Sequence, residues 1–159
     1  MSSIHKNLSI FSTEKLPNVS NNRFAIVVAE WNDEITELLA QGAINTLLKF
    51  GALEENITKA YVPGSYELSF GAQIFAQKPE IDAVIAIGCV IQGETRHNDY
   101  INHAVAGGLT QVALKFNKPV IFGVLTPNTH QQALDRAGGK HGNKGDEAAI
   151  TAIKMLGLV

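Results

Sequence analysis

The sequence predicts an α/β fold in which a four-stranded parallel sheet carries helices on both faces. Three short apolar runs rich in β-branched residues, Arg23–Ala29, Ala83–Ile87 and Val120–Leu125, read as strands buried on both sides. A more polar run, Ile57–Val62, reads as a further strand. Between the runs the apolar period changes to that of a helix. Strands alternating with helices close a parallel sheet through right-handed crossovers.

Each element has its own signals. Residues 1–22 show no clear period. Ile4, Leu8 and Ile10 alternate weakly with polar residues before Pro17, which fits a loose tail or an arm that pairs with another subunit's sheet. We therefore expect an N-terminal arm over 1–22 and a single α/β domain over 23–159. After the first strand, Asn32 reads as a helix cap, with Asp33 and Glu34 at the positive end of the dipole. Ile35, Leu38, Leu39, Leu47 and Leu48 form the apolar stripe of that helix, and Gly51 stops it. Pro63-Gly64 turns the chain after the second strand, and Tyr66–Ala76 reads as a helix.

The third strand feeds a loop from Gly88 to His97. A helix follows, with Ile101, Val105, Val112 and Phe116 at helical spacing. Pro119 leads into the fourth strand. Thr129 and Gln132 suggest a capping box, and Gly138-Gly139 ends the helix they open. Asn143 caps a last helix carrying Ala149, Ile153 and Leu156, closed by Gly157. The expected order is β-α-β-α-β-α-β-α-α.

The totals bound the function. A chain of 159 residues, 45% hydrophobic and 18% charged, fits one globular domain with a real core. A formal net charge of -2 argues against general binding to nucleic acid, which wants a basic face. No apolar stretch is long enough for a membrane span, and the polar N-terminus lacks the apolar core of a secretion signal. The one cysteine, Cys89, cannot form an internal disulfide, which suits a reducing cytoplasm. It reads as a small packed residue rather than a nucleophile, because no basic partner stands beside it.

The strand ends carry the candidate chemistry. The first gives Trp31-Asn32, the second Gly64-Ser65-Tyr66-Glu67, the third the loop ending in His97, and the fourth Thr126-Pro127 with Phe122 inside the strand. Ligands of open α/β sheets bind at the carboxyl ends of the strands. The third loop offers bare backbone N–H groups near a helix N-terminus, which suits an anion, and an imidazole whose ordinary pKa lies near neutrality. Taken singly, these residues stay ambiguous. Trp31 reads as a core plug or as a platform for a flat ligand, and Glu67 as a first-turn charge or a ligand contact. His97 reads as a surface residue or a proton carrier. Arg136 reads as a charge complementing a helix C-terminus or as an anion hook. Residues 138–145 are glycine-rich and basic and resemble an anion cradle, but no Gly-Lys-Ser/Thr occurs. With no HExxH, no paired cysteines and no GxGxxG, neither a zinc site nor a dinucleotide site is supported.

As a set, these stretches resemble the 6,7-dimethyl-8-ribityllumazine synthase family of riboflavin biosynthesis. The resemblance is carried by Trp31 to Thr36, Val62 to Glu67, Gly88 to Tyr100, Phe122 to Thr126, Gln132 to Gly138 and Lys140 to Gly145. They run in family order over all but the first twenty or so residues. The resemblance implies a flavodoxin-like three-layer sandwich and no cofactor. It implies condensation of 5-amino-6-(D-ribitylamino)uracil with 3,4-dihydroxy-2-butanone 4-phosphate. It also implies a homo-oligomer, a pentamer or an icosahedral 60-mer of pentamers, with riboflavin synthase as a further partner.

Carried over by motif, His97 is the proton-transfer residue. Trp31 and Phe122 flank the pyrimidine, while Ser65, Tyr66 and Glu67 hold the ribityl chain and ring edge. Cys89, Val90 and Ile91 line the site. Glu94 and Thr95 offer backbone donors to the phosphate, Arg136 is its cation, and Lys144 lies near the pyrimidine. Asn98 departs from the aromatic residue common there, and Arg96 and Glu94 add two charges to the phosphate loop. Glu94 is expected to point its carboxylate away from a phosphate, which would repel it. A flavin- or ribityl-binding carrier and an inactive shell protein are the competing readings. His97 together with Arg136 and Lys144 favours the enzyme, since a carrier needs no proton shuttle.

Overall fold

The computed structural model describes residues 7–12 and 16–158. The arm expected over 1–22 therefore lies partly outside the described residues. Four parallel strands form the main sheet: β1 (Phe24–Ala29), β2 (Ile57–Val62), β3 (Ala83–Cys89) and β4 (Val120–Leu125), in the order β2-β1-β3-β4. This is the flavodoxin-like order, and its switch point falls between β1 and β3. Every residue of β1 and β3 is buried, as their unbroken apolar runs require.

Alternation along the strands divides the core in two. Phe24, Ile26, Val28, Ile85 and Ile87 face α1 (Asp33–Lys49) and α5 (Lys144–Leu156). Ala25, Val27, Val84 and Ala86 face α2 (Leu68–Ala76) and α3 (His97–Phe116). Helices thus cover both faces, as expected. β2 and β4 are the edges.

Several local expectations change. The Asn32 side chain makes no capping bond; its backbone is left-handed (φ 62°), and its Nδ2 donates to the Cys89 carbonyl at 2.9 Å. Leu38 and Leu48 of the expected stripe are exposed, and the buried face of α1 is completed by Thr36, Ala40, Ala43 and Thr46 instead. The helix expected from Tyr66 opens with a 3-10 turn over Ser65–Glu67, and α2 starts at Leu68. At α4 (His130–Leu134), Thr129 accepts from the Gln132 N–H, but the Gln132 side chain returns to the N–H of Asn128 rather than of Thr129.

The glycine-rich stretch over 138–145 resembles an anion cradle in the sequence. It forms a short antiparallel hairpin, β5 (Ala137–Gly139) with β6 (Gly142–Asn143). Asn143 caps α5 as expected, accepting from the Gly145 N–H at 2.7 Å. Gly145 is needed there for a steric reason: a Cβ would collide with the Leu39 carbonyl of α1. Of the described part of the arm, Leu8 and Ser9 meet this chain's own hairpin, where Leu8 N–H donates to the His141 carbonyl and Asn143 N–H to Ser9 Oγ, while Val19 is buried in the core.

Candidate active site

Three strand ends build one cleft of about 820 Å³. The β1–β2 ladder continues past the strands, with Glu30 N–H donating to the Val62 carbonyl and Trp31 N–H to the Pro63 carbonyl. That carries Trp31 over the sheet edge, 73% exposed, and the left-handed turn at Asn32 sends the chain back into α1. An asparagine tolerates this conformation better than most side chains. The Asn32–Cys89 bond ties the β1 loop to the end of β3, so two walls of the cleft are joined.

The β2 loop supplies Gly64, Ser65, Tyr66 and Glu67. Tyr66 and Glu67 are exposed. Ser65 is buried, and its Oγ has no hydrogen-bond partner within the described residues. Gly88 makes room for it, since a Cβ there would sit 2.6 Å from Ser65 Oγ.

Beyond β3, Val90 and Gln92 N–H groups donate to the Leu125 and Pro127 carbonyls, so the loop is held extended beside the end of β4. It then turns through Gly93 and Thr95 into His97, the first residue of α3. His97 is exposed on the cleft wall, and its N–H donates to Thr95 Oγ1 at 3.4 Å. Cys89 lines the floor. Burial pushes its thiol up to about 12, so it stays protonated at neutral pH and is no nucleophile.

Of the expected site residues, Trp31, Ser65, Tyr66, Glu67, Cys89, Val90, Ile91, Thr95 and His97 meet in this cleft. Glu94 is exposed and outside its lining. Phe122, Arg136 and Lys144 are elsewhere. Phe122 and Lys144 share a second groove of about 580 Å³ along the β4 edge, with Leu114, Glu147 and Met155. Arg136 lies past the end of α4, where its Nη1 donates to the Gln132 carbonyl. The hairpin brings Arg136 and Lys144 together, with Lys144 N–H donating to the Arg136 carbonyl at 2.8 Å. Residues given no role of their own also line the cleft: Asn32 and Gly64, which the strand ends carry, Gly93 and Asn98 of the third loop and α3 start, and Ile101 of α3.

Among the described residues no cluster of side chains could hold a metal ion, and no helix is long and apolar enough to cross a membrane. The geometry is that of a doubly wound α/β protein with a small-molecule cleft at its switch point. The family described as 6,7-dimethyl-8-ribityllumazine synthase matches residues 21–159. The chain is 65% identical to the 6,7-dimethyl-8-ribityllumazine synthase of Cytophaga hutchinsonii, with 98% of both chains covered. It is 52% identical to that of Parabacteroides distasonis, again with 98% of each covered. It is also 52% identical to that of Phocaeicola vulgatus, over 98% of this chain and 93% of the relative. The chain belongs to the 6,7-dimethyl-8-ribityllumazine synthase family, enzymes of riboflavin biosynthesis.

Proposed function

We propose that this chain condenses 5-amino-6-(D-ribitylamino)uracil with 3,4-dihydroxy-2-butanone 4-phosphate, giving 6,7-dimethyl-8-ribityllumazine, phosphate and water. The observation that carries the reading is the cleft in which two aromatic rings, a carboxylate, hydroxyls and an imidazole from three strand ends converge. Mixing the purified protein with both substrates and following the absorbance of the lumazine tests it directly. No product at any pH would reject it.

The chemistry asks for orientation and proton transfer. The pyrimidine amine attacks the ketone and water departs. Phosphate is then eliminated, the chain tautomerises, and the second amine adds to the remaining carbonyl, from which a second water leaves as the ring closes. His97 at the cleft wall is the group to carry protons between these steps, a role worth ~10²–10⁴-fold. Holding the two reactants in place supplies more, up to ~7–11 kcal/mol. Trp31 gives the pyrimidine a flat surface. Ser65 Oγ, unpartnered, and the Glu67 carboxylate suit the hydroxyls of a ribityl chain. Backbone N–H groups around Glu94 and Thr95, beside the α3 N-terminus, suit the phosphate.

The pocket is completed by a neighbouring subunit in a ring of five, which supplies Phe122, Arg136 and Lys144. What supports this is their separation from the cleft within one chain and the character of the face they occupy. That face includes the β4 edge with exposed Met155 and Leu114, the latter 78% exposed. Most of α3 beside it is likewise open; Val105, Leu109 and Val112 are its buried residues. A ring contact joins two different faces of the same chain, as such a division requires. Arg136 can then bind two phosphate oxygens at once. We further place the enzyme in the cytoplasm, which suits the lone thiol of Cys89, and assign 1–22 as an arm on one domain over 23–159.

A further inference from the structure

The hairpin that follows Arg136 is small, with strands of three and two residues. A lone two-stranded hairpin is marginal in water even when longer. Its two ends are anchored unequally. Beyond β6, Asn143 Nδ2 donates to the Leu38 carbonyl of α1 at 3.0 Å, and its Oδ1 caps α5. Lys144 already belongs to α5, and its Nζ donates to Glu147 Oε1 at 3.1 Å. Ahead of β5, the Arg136 guanidinium is held by one bond, from Nη1 to the Gln132 carbonyl at 3.2 Å. The acid beside it is occupied, since Asp135 accepts from Gln131 Nε2 at 3.0 Å and from Lys140 Nζ at 3.1 Å.

The N-terminal arm closes on this hairpin at its turn. Leu8 N–H donates to the His141 carbonyl at 2.8 Å, and Ser9 Oγ accepts from Asn143 N–H at 2.9 Å. Asn7 Oδ1 accepts from Ser9 N–H at 2.8 Å, which turns the arm at the point of contact. The approach is close, because a Cβ on the buried Gly142 would collide with Asn7 Oδ1 and with the backbone of Leu8 and Ser9. Further along, Phe11 meets Phe50 edge to face, with ring centroids 5.9 Å apart, and packs on the core. The grip reaches Arg136 through His141, whose N–H donates to the Asp135 carbonyl at 2.8 Å, one residue before it. We propose that Leu8 and Ser9 are positioning residues for Arg136: by clasping the turn, the arm sets where the guanidinium meets the phosphate of the butanone phosphate. This rests on the reading of Arg136 as the cation of that phosphate. Lys144 keeps its place through α5, so the arm acts on one substrate and not on the other.

Steady-state kinetics of full-length variants with both substrates tests this. Ser9→Ala removes one acceptor, and Leu8→Pro removes the other N–H donor. Each should raise the KM for the butanone phosphate about 2–10-fold, the range of one lost hydrogen bond. The KM for the pyrimidine and kcat should stay near their wild-type values. Ser9→Thr, which keeps the hydroxyl, should behave as the wild type. In an Arg136→Ala background Ser9→Ala should add nothing, because the group it aims is gone. Suppose Arg136→Ala raises the KM for the butanone phosphate while Ser9→Ala, the milder of the arm variants, leaves it unchanged. The arm then has no part in aiming Arg136, and the proposal is wrong. Losses shared equally by both substrates, or simply additive to Arg136→Ala, would reduce the arm to a structural support and overturn it too. If Arg136→Ala itself leaves that KM unmoved, the reading of Arg136 fails, and the proposal falls with it.

Discussion

The carboxyl edge of β1–β3 and the edge of β4 differ in how they are finished. At the first, loops from three strands are laced together by backbone bonds and by Asn32 to Cys89, and a cleft exists in the single chain. At the second, polar and aromatic side chains, Lys144 and Phe122 among them, line a groove along the edge strand β4. A hairpin sets Arg136 beside Lys144, yet neither reaches His97's cleft. On our proposal the first edge receives the ligand and the second is presented to the neighbouring subunit's cleft, so the two regions should respond differently to substitution.

The largest effect is expected in the cleft. His97→Ala should lower turnover ~10–10³-fold and leave substrate affinity near its original value, because on our proposal the imidazole moves protons and is not needed for binding. Steady-state kinetics with both substrates separates the two parameters, and unchanged turnover would remove His97 from this role. Next comes the other edge. Arg136→Ala should weaken the butanone phosphate by ~1.5–3 kcal/mol, seen in its KM, with little change for the pyrimidine. Equal losses for both substrates would indicate damage to the hairpin instead.

Two smaller effects separate packing from chemistry. Cys89 has a folded pKa near 12 against an ordinary 9.0, so its contribution to stability is fully present below about pH 9 and is lost as pH rises toward 12. Over that window the wild type should lose up to ~1.4 kcal/mol per pH unit relative to Cys89→Ala in denaturant titrations. Parallel curves would show that the thiol is not held in its protonated form. The smallest effect belongs to Lys59 and Glu37, a partly exposed pair 2.6 Å apart on the β2 edge. The bond from Lys59 lowers Glu37. Burial opposes the charge on Lys59, but its bonds to Glu37 and Tyr61 outweigh that and raise it. Glu37's share of stability is lost as pH falls through its lowered value, and Lys59's as pH rises through its raised one. Lys59→Met should therefore cost only ~0.2–1 kcal/mol near neutrality and leave both KM values alone.

Much of this was legible in the chain. The apolar runs of β1, β3 and β4 located the sheet because strands buried on both faces leave an unbroken apolar record, and the strand-end residues Trp31, Ser65 to Glu67 and His97 did converge. What local pattern could not supply was tertiary. Asn32 has the chemistry of a cap, but the Cys89 carbonyl across the sheet claims its side chain. Leu38 and Leu48 keep helical spacing yet lie outside the narrow stripe that α5 covers, and small residues, Ala40 and Ala43, fill the close contact. Residues 138–145 looked like a cradle because glycines and lysines suggest anions. Positive φ at Gly138 and Gly142 serves a hairpin, which no local pattern announces. The separation of Phe122, Arg136 and Lys144 from the cleft depends on how the whole chain folds, and no short window of sequence contains it.

The division of the pocket between two subunits is tested most directly by mixing two damaged proteins. His97→Ala and Arg136→Ala subunits are unfolded together and refolded as mixed rings, with the same variants refolded separately and then combined as the control. Random mixing leaves about a quarter of junctions with an intact His97 facing an intact Arg136. Assayed with the butanone phosphate below its KM, the mixed rings should regain activity well above the control. If native mass spectrometry shows mixed rings and activity stays at the control level, His97 and Arg136 do not meet across a subunit boundary, and the shared pocket is wrong.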